Sequence, residues 1–415
     1  MSRYLIVSLP LAGHVYPALG LARELAAAGH DVAWAGSELV LRPLVGADAT
    51  IFQTGSRLAR EQGGAGMAAI KTLWTRFIVP YGKFILPGVD KAVRDYQPDV
   101  VLVDQHAVAG AIVAHRHGLP WVTLAVSAME LTQPYRALPK VTDWMTDILR
   151  TMWTNAGLPD DEFLDVRDSP YLTLAYTTEE LAGQKDFPDR VQLVGPMLTA
   201  RPGLPDFPFD WLDPERQHVL VTMGTLADGL AYDFYVRAIE AMTALADRVQ
   251  AIIVAPPDEF PTPPDHIMIT NRVPLLRLMP HLDVVVGHGG INTVSEALST
   301  GVPMVVAPIR HDQPVVAGWV ADAGAGTRVK FRRVTPTQLA TAVTDVLDDP
   351  SCRANANRIA ESFRAAGGAS EAVRLLERLQ QTMSAVVPAS ADALASTTSS
   401  PPLANAGLTG NRRIR

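Results

Sequence analysis

Short apolar runs alternate with helical patterns in two separate stretches of this chain, and that repeated alternation restricts the fold more than any other feature. Residues 4–9, YLIVSL, make a run of the length and character of a strand buried on both faces. Pro17 then opens a helical pattern carried by Leu19, Leu21, Ala22, Leu25 and Ala26, and Gly29 closes it. Residues 31–35 return to strand character, so a strand, a helix and a parallel strand follow one another with a right-handed crossover. Strands are expected again at 100–103 and 121–126, with a helix over 107–117 between them. The alternation then restarts, with strands at 218–223, 249–254, 283–286 and 303–307. The expected class is α/β, doubly wound in both halves.

A length of 415 residues exceeds what one hydrophobic core usually organises, so two domains are expected. Pro196, Pro202, Pro205 and Pro208 crowd residues 195–213, as they would a bridge between domains. The expected division is a first domain over 1–200, a linker over 201–215 and a second domain over 216–383, whose last helix has the option of packing back on the first. From 384 to 415 Ala, Ser, Thr and Pro lack any apolar period, so this tail is expected to be disordered, with Arg412, Arg413 and Arg415 as a solvated end.

Charge and cysteine use exclude several function classes. A net charge of -7 without a basic cluster argues against nucleic acid as a partner. Cys352 stands alone, without a thiol to pair with or to complete a zinc site, which fits a reducing cytoplasm. The first nine residues are too short for a secretory core, and no run approaches the ~18 apolar residues of a membrane-spanning helix.

The chemistry gathers at two loops. Strand 283–286 leads into Gly287, His288, Gly289 and Gly290 and then a helix from Asn292, an order that suits an anion. Glycines let backbone approach a ligand, and a helix start offers free amides and a favourable dipole. His288, Asn292 and Thr293 add side-chain donors, and Glu296 lies one turn further along the same face, where a carboxylate can accept from two ribose hydroxyls. A plain tight turn with Asn292 as an N-cap uses the same residues. In the first half, the loop over 9–17 holds a single glycine and lacks G-x-G-x-x-G, which removes the main support for a dinucleotide oxidoreductase. It holds His14 instead, able to take a proton near neutrality, while Asp104 ends the strand over 100–103. A structural histidine and a helix-capping carboxylate are the alternatives.

The run from His288 reads H-G-G-I-N-T-V-S-E-A-L-S-T-G-V-P, then P-I-R-H-D-Q through Gln313. It resembles the donor signature of the family-1 glycosyltransferases, and Gly13-His14-x-x-Pro17 is similar to that family's base motif. Asp104, closing P-D-V-V-L-V-D, matches the acidic partner. The resemblance implies a GT-B fold, two Rossmann-like domains facing across a cleft. It implies that His288, Gly289, Gly290, Asn292, Thr293 and Thr225 bind the diphosphate of a nucleotide sugar, Glu296 its ribose, and Asp312 with Gln313 the sugar. His14 would be the base and Asp104 its orienting partner in an inverting transfer of a hexose to a hydroxyl of a lipophilic small molecule. UDP-glucose is the first donor expected and a dTDP-deoxysugar the second. No metal or other cofactor is expected, and no Asp-x-Asp triplet occurs. Where relatives carry an aromatic against the base, this chain has Asn271, Arg272, Val273, Pro274 and Leu275; Arg272 can stack through its planar guanidinium, so Arg272 and Val273 mark the base region.

Trp74, Phe77, Tyr81, Phe84, Met129, Tyr135, Trp144, Met145 and Trp153 interrupt the strand rhythm of the first half. They suit an apolar acceptor cleft or an ordinary core equally well. A nucleotide-sugar epimerase of the same architecture would need the diphosphate site and no acceptor base. An inactive relative would show damage at His14, His288 or Glu296, all of which are present. The chain is expected to act as a monomer or homodimer.

Overall fold

The computed structural model describes residues 1–55, 66–132, 138–183, 186–201, 203, 206–224 and 230–386. Thr225, Tyr135, Pro202, Pro205 and nearly all of the expected disordered tail lie outside these residues. Two compact units divide the chain, Met1–Arg374 and Leu375–Arg415. Both sheets belong to the first; of the second, the C-terminal part of the helix Gly368–Val386 is described, which runs three residues into the segment expected to be tail.

Seven strands form the first sheet: β1 (Arg3–Val7), β2 (Asp31–Gly36), β3 (Thr50–Gln53), β4 (Val100–Asp104), β5 (Trp121–Ala125), β6 (Leu172–Ala175) and β7 (Val191–Leu193). Six form the second: β8 (Gln217–Thr222), β9 (Val249–Val254), β10 (Ile267–Thr270), β11 (Val284–Gly287), β12 (Met304–Val306) and β13 (Gly326–Arg328). Their spatial orders are β3-β2-β1-β4-β5-β6-β7 and β10-β9-β8-β11-β12-β13, and every pairing is parallel. Val100 to Val103, Leu220 and Val284 to Val286 are 0–1% exposed, because helices cover both faces and every strand position must be apolar.

Each order reverses once, between β1 and β4 and between β8 and β11. Doubly wound sheets open a crevice at the carboxyl ends of such a pair. Register fixes what meets there: Val7 pairs with Val103, and Thr222 with Gly287, so the loops after β1 and β4 face each other, as do those after β8 and β11. The strand order thus brings His14 to Asp104 across 90 residues.

The helix expected to open at Pro17 begins at Ala12 and runs to Ala27, with Pro17 inside it. The chain turns directly from β1 through extended Leu11 into the helix, so proline's preference for the first helical position does not decide the boundary. Proline has no N–H to return to the carbonyl four residues earlier, and the Gly13 carbonyl is left free. It is used across the cleft by Asn292, whose Nδ2 donates to it at 2.7 Å.

Trp74, Phe77, Tyr81, Met145 and Trp153 are buried in the core of the first half, and Trp144 packs against it. Phe84 is 40% exposed. The second sheet carries an apolar cluster on each face, one of which includes Ala128, Leu181 and Ala182 of the first half. After the helix Pro350–Ala365 the chain touches the first half again: Gly368 N–H donates to the Val194 carbonyl at 2.7 Å and Ser370 Oγ to Glu24 Oε1 at 2.6 Å. No helix among the described residues is long and apolar enough to cross a membrane.

Candidate active site

A cleft of about 1000 Å³ opens at the carboxyl ends of both sheets. From the first half it is lined by His14, Tyr16, Trp74, Phe77, His106 and Glu130, and from the second by His288, Gly290, Asn292, Thr293, Asp312 and Gln313. Trp74, Phe77 and Met129 therefore serve core and cleft at once, which is why their sequence pattern could not separate the two.

His14 Nδ1 and Asp104 Oδ2 lie 2.7 Å apart, with Asp104 buried and His14 19% exposed. The second carboxylate oxygen accepts the His106 backbone N–H at 2.9 Å, which fixes the plane of the group. Burial pushes the Asp104 carboxyl up, but the charge and hydrogen bond of His14, with His106, outweigh it and hold it below the usual carboxylate range. An ionised Asp104 accepts a hydrogen bond from Nδ1–H, which leaves Nε2 of a neutral His14 as the basic nitrogen.

A second imidazole stands beside the first. The His14 and His106 rings are 5.7 Å apart, and His106 Nε2 lies 3.2 Å from Glu130 Oε2, as an ion pair rather than an aligned hydrogen bond. Burial lowers the pKa of His106, yet Glu130, Asp104 and Asp312 together raise it above the ordinary histidine value. Neither His106 nor Glu130 belongs to a motif; they meet because β4 and β5 are neighbours. His14, Asp104 and His106 also bring ligand atoms within 4.8 Å of one another, the spacing of a metal set. Here each imidazole faces a carboxylate of its own, His14 that of Asp104 and His106 that of Glu130.

Across the cleft, the loop after β11 is shaped by its glycines. Gly289 takes φ of 82°, and a Cβ there would meet Val306 Cγ1 at 2.8 Å. It packs the loop onto its neighbour and does not line the cleft. Gly290 does line it, and a Cβ there would lie 2.4 Å from His288 Nε2. The His288 ring is half-buried, and desolvation, with Arg310 adding to it, pushes its pKa down to about 4 against a hydrogen bond to the Thr222 backbone. Neutral His288 keeps Nδ1 buried without a partner among the described residues. Helix Ile291–Ser299 starts at Gly290, so its first amides face the same space as Asn292 and Thr293.

Glu296 lies apart from the cleft. It is buried against a small neighbouring void, with Oε1 held by Arg201 and Oε2 without a partner among the described residues. Burial raises its pKa, and Arg201 opposes this only in part. Asp312 faces the cleft with its carboxylate accepting the Ala128 backbone N–H; burial raises its pKa despite His311 and His106. His311 beside it holds φ of 57°, a left-handed conformation unusual for histidine that redirects the chain into the helix Gln313–Asp322. Gln313 Oε1 accepts the Ile309 and Arg310 amides, both at 2.9 Å, so this residue staples its own loop and offers only its NH2 to a ligand. Arg272 is exposed on the cleft wall next to buried Val273, and Gly224, beside the His288 ring, lines the same cleft.

Residues 240–379 match the family of C-terminal domains described as Erythromycin biosynthesis protein CIII-like. The chain is 29% identical to 4'-demethylrebeccamycin synthase of Lentzea aerocolonigenes, covering 91% of this chain and 99% of that protein. It is 26% identical to the NDP-glycosyltransferase YjiC of Bacillus subtilis (strain 168), over 91% and 97% of the two chains. Among solved structures, the glycotransferase of kitacinnamycin superposes with a TM-score of 0.75 at 26% identity, over 91% of this chain and 99% of that one.

Proposed function

We propose that the chain is a family-1 glycosyltransferase of GT-B fold that moves a hexose from a nucleoside diphosphate sugar to a hydroxyl of an apolar small molecule, with inversion. The observation that carries this reading is the His14–Asp104 pair at 2.7 Å, held at the switch point of one sheet and opening on the cleft that His288, Asn292 and Thr293 line from the other.

His14 Nε2 takes the acceptor hydroxyl proton as the oxygen attacks the anomeric carbon, and the bond from that carbon to the diphosphate breaks on the opposite face. Asp104 stabilises the imidazolium that forms, a base contribution of about 10²–10⁴ in rate. The diphosphate gathers charge at the amides opening Ile291–Ser299, where His288, Asn292 and Thr293 donate, so leaving-group stabilisation needs no divalent cation. Asp312 and the Gln313 amide face the sugar, Glu296 the ribose, and Arg272 with Val273 the base. Asn292 is engaged with the Gly13 carbonyl and Asp312 with the Ala128 amide, so each exchanges a protein contact for a donor contact. The apolar wall of Leu11, Trp74, Phe77 and Met129 suits a lipophilic acceptor.

UDP-glucose is the first donor to test, with dTDP-deoxysugars second. A thermal-shift screen of nucleotide sugars followed by mass spectrometry of acceptor mixtures tests this reading. Transfer of a sugar mass to an apolar alcohol is the expected result; conversion of the donor to an isomer with no acceptor added would refute transfer as the activity.

A further inference from the structure

The buried carboxylate of Glu296 is held by a cation that no motif announces. Arg201 follows the first sheet at the start of the bridge between the two halves, and its guanidinium contacts Glu296 Oε1. Its Cζ also sits 4.9 Å from the centre of the Tyr16 ring, in the helix that carries His14. Arg201 is 21% exposed and borders both spaces: the large cleft on one side and, on the other, the void of about 20 Å³ that Glu296 borders. Since Oε1 is engaged and Oε2 is buried, neither carboxylate oxygen is open to a ligand in the cleft while Arg201 stays in place.

We propose that Arg201 is an affinity-setting residue of the donor site, occupying in the empty enzyme the seat on Glu296 that the donor ribose takes on binding. This rests on the assignment of Glu296 to the ribose. The chemistry of the two occupants matches. A guanidinium edge presents two adjacent N–H donors to a carboxylate, and the 2′ and 3′ hydroxyls of a ribose present two adjacent O–H donors. A deoxyribose presents one. The donor must therefore displace Arg201, which swings toward the cleft with the Tyr16 face beside it. Whatever the ion pair contributes to the empty enzyme is subtracted from donor binding. Removing the guanidinium leaves a buried carboxylate uncompensated in the empty state, and the ribose hydroxyls then relieve it.

This predicts a change opposite in sign to the loss expected of a cation that binds phosphate. Calorimetry at pH 8 would compare wild type, Arg201→Gln, Arg201→Lys and Glu296→Gln, titrated with the tighter of UDP and dTDP and with inorganic pyrophosphate, which has no ribose. Arg201→Gln should bind the nucleotide about fivefold more tightly, the net worth of a partly exposed ion pair, and pyrophosphate unchanged. Arg201→Lys keeps the cation but loses the two-donor edge, so it should show the same tightening at smaller amplitude, and it serves if the glutamine variant does not fold. Nucleotide binding that is unchanged or weaker in whichever Arg201 variant folds overturns the proposal. Glu296→Gln should weaken the nucleotide and spare pyrophosphate. If it spares both, the ribose assignment itself fails; if it weakens the nucleotide while Arg201 variants do not tighten it, only the role of Arg201 fails.

Discussion

Replacing Asp104 with Asn isolates the orienting partner from the base. The asparagine keeps an oxygen for the His106 amide, now 2.9 Å from the carboxylate, and so presents its NH2 where the carboxylate oxygen faces His14 Nδ1 at 2.7 Å. A donor at that position demands a lone pair on Nδ1, which places the proton on Nε2, the nitrogen that must be free to act. The ionic contribution is lost as well. With charge centres about 4 Å apart and an effective dielectric of about 20, an imidazolium beside Asp104 is stabilised by about 4 kcal/mol. At about 1.36 kcal/mol per decade, kcat for a non-activated alcohol acceptor should fall by about 10³. The proposed nucleotide site lies on the other sheet, so UDP affinity should be unchanged. Product formation followed by chromatography and mass spectrometry, with calorimetry of UDP on the same preparation, reads both quantities. A variant within threefold of wild type in kcat would refute the pairing as a catalytic device, and a large loss of UDP affinity would show that the effect is not confined to the base.

Further outcomes follow from particular contacts. His288 titrates near 4 when folded and about 6.5 when unfolded, so between these values the unfolded chain binds more protons and stability must rise with pH. Denaturant titrations should show about 2–3 kcal/mol lost from this group between pH 7 and pH 4.5, and His288→Gln should flatten that slope; an unaltered slope would mean the ring is not held neutral. Gly290→Ala puts a methyl 2.4 Å from His288 Nε2, so the ring must move, and calorimetry should find nucleotide affinity at least tenfold weaker. Thr335 caps the helix Pro336–Asp348 in a reciprocal box with Gln338, and Thr335→Ala should cost about 1 kcal/mol in chemical denaturation without altering transfer. Loss of transfer there would show that this helix couples to the site.

The sequence exposed those parts of the architecture that physics writes locally. Central strands such as β4 and β11 are buried on both faces and read as unbroken apolar runs, so their positions were legible to within a residue or two. Strands β3, β7, β10 and β13 were not, because they are three or four residues long with mixed burial, and their patterns resemble loops. β6 is fully buried but only four residues long, and its run did not stand out. The loop after β11 was legible because one strand, one turn and one helix hold its residues in a contiguous stretch. His14 and Asp104 were paired through the motifs around each, and the β1–β4 neighbourhood supplies the reason they meet. Arg201, His106 and Glu130 escaped for the opposite reason. Each is placed by topology or by a segment without periodicity, and a lone arginine after a strand has no local signature. Glu296 lies one helical turn beyond Asn292 as expected from the spacing, but its engagement with Arg201 and that of Asn292 with the Gly13 carbonyl are tertiary, and the latter depends on a proline misread as a helix start.

The central claim is that His14 removes the acceptor proton in a transfer that inverts the sugar. Its most direct test is the anomeric configuration and rate of product from UDP-glucose and an alcohol acceptor, by NMR, for wild type and His14→Ala, with UDP binding measured on both. The account predicts a β-glucoside from wild type, none above background from the variant, and equal UDP affinity. An α-glucoside, or a His14→Ala enzyme that works at the wild-type rate, would contradict it.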